Sequence, residues 1–147
     1  MRTLQQNKQK LHYALLIGEQ PVYELDDEGN KIIAYIDDEG NIYYQETGET
    51  ELLYSEPVPF ENGISGKLSE VLIESFGIND TSMYAEMDYM ANEYPFKNGT
   101  LIWKKSEIGY KDAEKTRIDP TTADYMVAGI LDEYPNQWSC LLRRILK

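Results

Sequence analysis

The stretch Asp26-Asp27-Glu28-Gly29-Asn30 returns eleven residues later as Asp37-Asp38-Glu39-Gly40-Asn41, each copy set between runs rich in β-branched and aromatic residues. Those runs are Val22 to Leu25, Lys31 to Ile36 and Ile42 to Gln45. An acid-Gly-Asn tip between such runs predicts tight hairpins in which the glycine takes the positive φ that a bulged turn demands. A third turn at Glu46-Thr47-Gly48-Glu49, then Leu52 to Tyr54 ahead of Pro57 and Pro59, extends the pattern to a β meander whose last strand lies at an edge.

The same region sets the charge of the chain. Residues 19–61 hold thirteen Asp and Glu against one base, Lys31, and so carry −12, the net charge of all 147 residues. Such a balance argues against electrostatic wrapping of nucleic acid, where neutralising phosphates supplies most of the affinity. It suits either a solvated face that repulsion keeps soluble or a surface that repels DNA or meets a basic partner. The twelve tyrosines make up most of the 12% aromatic content, and an amphipathic ring fits a strand face and an interface equally well. At 147 residues one domain spanning 1–147 is expected, with 19–61 as a protruding acidic hairpin arm.

Elsewhere, Leu11 to Ile17 reads as an opening strand closed by Gly18 and Pro21. Leu68, Val71, Leu72 and Phe76 fit helical spacing, which predicts one short helix at about 68–76. Strands are expected at Met83 to Met90, Thr100 to Lys104 and Ala123 to Leu131, with a long loop from Ile108 to Asp119. At the C-terminus Trp138, Leu141, Leu142, Ile145 and Leu146 follow the template of an amphipathic helix, while strand alternation puts Trp138, Cys140, Leu142 and Leu146 on one face with Arg144 intruding. The fold class predicted is mainly β: a small antiparallel β-barrel with an acidic meander and long loops.

No constellation for catalysis stands out. His12 is the only histidine and Cys140 the only cysteine; they read as a partly buried strand residue and a core thiol. Phosphate loops, nucleophile elbows and His-pair zinc motifs are absent from the sequence. Taken as a calcium loop, the second repeat puts Tyr35 where an acidic ligand is needed, and the first puts the same tyrosine at the closing acidic position. The expectation is no catalytic residue, no cofactor and no metal. Met1 to Lys10 is polar and basic without the apolar core of a signal peptide, and no apolar run approaches the roughly 20 residues that span a bilayer, so a cytosolic chain with no membrane association is expected. Candidate interface residues are Tyr23, Tyr35, Tyr43, Tyr44 and Tyr54, and candidate acidic tips are Asp26, Asp27, Glu28, Asp37, Asp38 and Glu39.

Three stretches together carry a resemblance. Met1-Arg2-Thr3-Leu4, with Asn7-Lys8 and Leu11-His12-Tyr13-Ala14, resembles the start of small neck proteins of tailed phages and prophages, where Arg-Thr-Leu leads into a Tyr-Tyr-Ala strand and an acidic hairpin. Thr100-Leu101-Ile102-Trp103 is similar to that family's Ser-Leu-Ile-Trp, and Ala123-Asp124-Tyr125-Met126-Val127, followed by a turn near Asn136 and a basic-apolar end, to its Asp-Tyr-Val-Val and closing strands. These are the head-closure proteins, also called stoppers or head-completion proteins. Glu133-Tyr134-Pro135-Asn136-Gln137 departs from the family's Ser-Leu-Asn turn, and the region from Leu68 to Met90 diverges.

The resemblance implies a small β-barrel in a homo-oligomeric ring, twelve copies being one option, in the virion neck after assembly in the host cytoplasm. The ring would close the DNA-filled head below the portal and adaptor proteins. It would offer a docking face to a tail-completion or tail-terminator protein, with double-stranded DNA passing through the lumen without specific binding. It also favours a strand over a helix for the C-terminal segment. Two other readings stand beside it: another neck component, adaptor or tail-completion, and, from the charge alone, an acidic DNA mimic that inhibits a nucleic-acid-binding enzyme.

Overall fold

The computed structural model describes residues 8–147, so Met1 to Leu4 and Asn7, which carry part of the resemblance, lie outside the described residues. Ten strands, one α-helix and two single turns of 3-10 helix follow one another in the order β1 (Gln9–Ala14), β2 (Leu16–Tyr23), β3 (Ile33–Ile36), β4 (Ile42–Tyr44), β5 (Glu46–Tyr54), β6 (Val58–Asn62), α1 (Glu70–Phe76), β7 (Tyr84–Met90), β8 (Leu101–Trp103), β9 (Tyr125–Leu131) and β10 (Gln137–Arg144), the turns lying at Thr81–Met83 and Pro120–Thr122. The protein is mainly β. Two compact units form: one runs up to Leu16 and resumes at Tyr54, the other is Ile17–Leu53.

In the first unit six antiparallel strands, ordered β6-β1-β8-β9-β10-β7, curl into a half-barrel. The two internal stretches that carry the resemblance are adjacent: β8 and β9 pair with Leu101 opposite Met126 and Ile102 opposite Tyr125. Edge strand β6 contains Pro59, which lacks the N–H that a central strand would need. Beyond β6 the chain crosses to the free edge of β7, where Asn62 Nδ2 donates to the Asp88 carbonyl at 3.2 Å. Ser65 and Glu86 then exchange backbone hydrogen bonds of 2.8 and 2.9 Å. These bonds cover an edge otherwise open to pairing with another chain.

The concave side holds Leu11, Tyr13, Met87, Tyr89, Phe96, Ile102, Val127, Cys140 and Leu142. Its rings meet edge to face, as for Tyr13 and Phe96, with centroids 5.1 Å apart at 82°. On the other face α1 covers Leu131 and Leu141 with Leu72, beside Leu68. The helix falls where its spacing predicts: the Ser69 hydroxyl accepts from the Leu72 amide at its start, and Gly77, with φ 64°, ends it.

The C-terminal segment is a strand to Arg144, as the resemblance favours over the helical periodicity, which arises because both faces are covered: Cys140 and Leu142 face the barrel interior while Leu141 packs beneath α1. Three expectations are corrected. Leu146, placed by alternation with the buried face, lies past the strand and is exposed. Gly18 and Pro21 do not close the first strand but lie inside β2; the break falls at Leu15, whose N–H donates to Ser55 Oγ at 2.8 Å and whose carbonyl accepts from the Ser55 N–H at 2.8 Å. The region after it is not a meander. β2 pairs with β5 and β3 with β4, so one hairpin is nested inside another.

Candidate interaction surface

In the second unit both repeats form the bulged hairpin that their composition predicts. In the first, Asp26 N–H donates to Asn30 C=O at 2.8 Å and Gly29 N–H to Asp26 C=O at 3.0 Å; in the second the equivalent bonds, Asp37 to Asn41 and Gly40 to Asp37, are 3.0 and 3.1 Å. Gly29 and Gly40 have φ of 85° and 87°, left-handed values that a side chain would strain. Each leading aspartate is spent on its own turn: Asp26 Oδ1 accepts from the Glu28 and Asn30 amides, Asp37 Oδ1 from those of Glu39 and Asn41. Bonds from the Asn41 amide and side chain, against a little burial, hold the Asp37 carboxyl below its usual range. Asp27, Glu28, Asp38 and Glu39 are the tip carboxylates left to face outward.

The predicted third turn at Glu46 to Glu49 lies within β5. Glu46 is one methylene longer than the aspartates that fold back on their own amides, and the Thr47 hydroxyl instead donates across the ribbon to the Val22 carbonyl at 3.1 Å. Where ribbon and hairpins meet, Glu24 N–H donates to Gln45 C=O at 2.8 Å, Gln45 N–H to Ile32 C=O at 2.8 Å, and Ile32 N–H to Glu24 C=O at 3.2 Å. Three residues that flank the strands thus close a cycle of backbone bonds, with the first repeat turning one corner and β3-β4 leaving another.

This unit has no interior. No residue of 17–53 belongs to a buried cluster, whereas ten of the fifteen exposed large hydrophobic side chains among the described residues fall within it. Tyr35 is 59% exposed, Ile36 58% and Ile33 52%. Tyr35 stacks on Tyr43 at 4.6 Å and 15°, and Lys31 Nζ sits 4.6 Å from the Tyr23 ring centroid and 5.3 Å from that of Tyr44. Four of the five candidate tyrosines therefore fall in this unit as two pairs, Tyr35 with Tyr43 and Tyr23 with Tyr44. The fifth, Tyr54, packs in the first unit against the cluster of Ala14, Leu101, Trp103, Ile118 and Ala123, where burial raises its hydroxyl pKa. The exposed Ile33, Ile36 and Ile42 were not among the candidates; their signal is that the β3 and β4 runs are apolar at successive positions instead of alternating.

Two depressions mark the first unit. A cleft of about 290 Å³ is lined by Glu61, Asp88, Tyr89, Glu93 and Tyr94, and burial with the neighbouring Glu93 charge pushes the Tyr94 hydroxyl up to about 12. A trough of about 570 Å³ runs past His12, Tyr54, Pro57, Pro59, Tyr110 and Ile118. Cys140 lies in the core, its thiol pushed by burial up to about 12. Among the described residues no three His, Cys, Asp or Glu side chains group to hold a metal ion, and no helix is long and apolar enough to cross a membrane. No protein-family profile, curated protein or solved structure matches the chain.

Proposed function

We propose that this chain is a structural subunit of the neck of a tailed phage or prophage, a head-closure protein that retains packaged DNA below the portal and adaptor and receives the tail. The observation that carries the reading is the pairing of a β half-barrel with a separate acidic unit whose aromatic and aliphatic surface has no partner within itself. A subunit made to assemble needs such a surface; a monomeric protein rarely leaves one uncovered. The order of the resembling stretches adds to this, since those at 100–103 and 123–127 form neighbouring strands of one sheet. Net negative charge suits a channel through which DNA must pass without being gripped, because each phosphate contact adds affinity and drag. The surface is built for binding, and the protein acts without catalysis.

Deleting the gene from an inducible prophage tests the proposal. Capsids are expected to package DNA, then lose it, and to accumulate beside unjoined tails. Normal infectious particles from the deletion would sink it, and heads that never fill would assign the chain to an earlier step.

A further inference from the structure

Two-stranded ribbons without a core are marginal in water, so the second unit needs a cover. Charge narrows what that cover is. Residues 17–53 hold eleven acids and one base, a net −10, leaving −2 for the rest of the chain. Packing this unit against its own duplicate would set −10 against −10 within the roughly 8 Å over which salt leaves charges unscreened. The trough of the first unit is a better host. Its walls mix the apolar and aromatic side chains of Tyr54, Pro57, Pro59, Tyr110 and Ile118 with the polar His12, Ser55 and Thr116, its own charges Lys115 and Glu56 cancel, and the loop 104–117 that forms one wall carries five bases against three acids. One of those acids, Asp112, folds back on its own loop, accepting from the Thr116 and Arg117 amides.

We infer that the second unit of one copy docks in the trough of the next, with the face that carries the paired Ile36 and Ile42 against Tyr110 and Ile118 and the tip carboxylates Asp38 and Glu39 toward Lys105 and Lys115. Donor and host surfaces differ, so the contact is heterologous and propagates until rotation closes a ring. This deepens the neck-subunit reading, on which the closure of the ring rests.

Crosslinking tests the contact directly, since buried Cys140 is a poor competitor for mild oxidants. Two single-cysteine additions, Ile36→Cys and Glu56→Cys, are made in chains distinguishable by tag length and mixed at high concentration. The expected product is a disulfide joining one chain of each kind, in excess over either self-pair. A Lys105→Glu, Lys115→Glu variant should weaken association roughly ten-fold, because it faces like charge with like. A self-pair of Ile36→Cys as the main product, no crosslink at all, or a monomer at every concentration overturns the inference. Copies that associate without the mixed disulfide overturn this contact alone and leave the neck role standing. Normal particles from the gene deletion remove the neck role and leave the contact intact.

Discussion

Asp124 shows how much of the resembling stretch serves the fold. One carboxylate oxygen accepts from the Lys104, Lys105 and Ser106 amides at 2.7, 3.0 and 3.1 Å, and the other from the Ser106 hydroxyl at 2.7 Å. Burial opposes its charge, yet these donors hold its pKa below the ordinary value. A depressed carboxyl contributes stability at neutral pH that is lost as pH falls through its folded pKa. Asp124→Ala should cost about 1–3 kcal/mol at pH 7, read from the urea midpoint, and the gap to the native chain should close on acidification. Glu86 has the opposite sign. Burial, then Asp88 beside it, raises its pKa, although its Oε1 accepts from the Ser69 amide at 2.9 Å. Its contribution is complete below the ordinary glutamate value and is lost as pH rises through the folded one. Glu86→Gln keeps an acceptor for Ser69 without the charge, so its stability relative to the native chain should rise from pH 5 to pH 8; a pH-independent difference would refute the assignment. Neither role is legible in the sequence, because both depend on which backbone amides the fold brings to a carboxylate. Gly29 and Gly40 are legible, since Gly-Asn after a cluster of acids is a local instruction.

At the scale of elements, what is local was readable and what is paired was not. The helix at Glu70–Phe76 and the strands β7, β8 and β9 follow from spacing and from β-branched and aromatic content. The nested pairing of β2 with β5 was hidden, because the composition of a strand does not say which strand it joins. The last strand was ambiguous for a different reason: a strand covered on both faces loses alternation, and a run of apolar residues then satisfies the helical template as well. Its cover can be tested at Gly129. The register of β9 against β10 slips there, Leu141 facing Gly129 and Leu142 facing Val127, and a Cβ on Gly129 would come within 2.5 Å of the Phe76 ring. Gly129→Ala should destabilise by about 1–3 kcal/mol through displacement of α1. Shortening Phe76 to Leu in the same chain should recover part of that loss in thermal unfolding, whereas additive losses would mean that the helix does not rest on this glycine.

For the whole molecule, the division into two units makes a claim about what each owes the other. The ends of the first unit meet where the second is inserted, since Leu15 and Ser55 are joined by two hydrogen bonds of 2.8 Å. The three buried clusters draw no residue from the 37 positions between Ile17 and Leu53. Replacing those residues by a short Gly-Ser turn between Leu16 and Tyr54 should therefore leave a cooperatively folding half-barrel. Closing a long insertion costs only about 0.6 kcal/mol per doubling of its length, so the shortened chain should gain about 1–2 kcal/mol, detectable as a raised midpoint in urea. It should also lose self-association, because it keeps the trough and lacks the unit proposed to fill it. An unfolded product would show that the ribbon supports the barrel, and a product that folds and still assembles would place the contact between copies elsewhere. The expected pair of results, stability kept and assembly lost, separates what folds this chain from the proposed contact: the half-barrel holds itself together through Trp103, Leu72 and the aromatic interior, while the acidic hairpins have ten exposed hydrophobic side chains and no core, a surface that the inferred contact with a neighbour would cover.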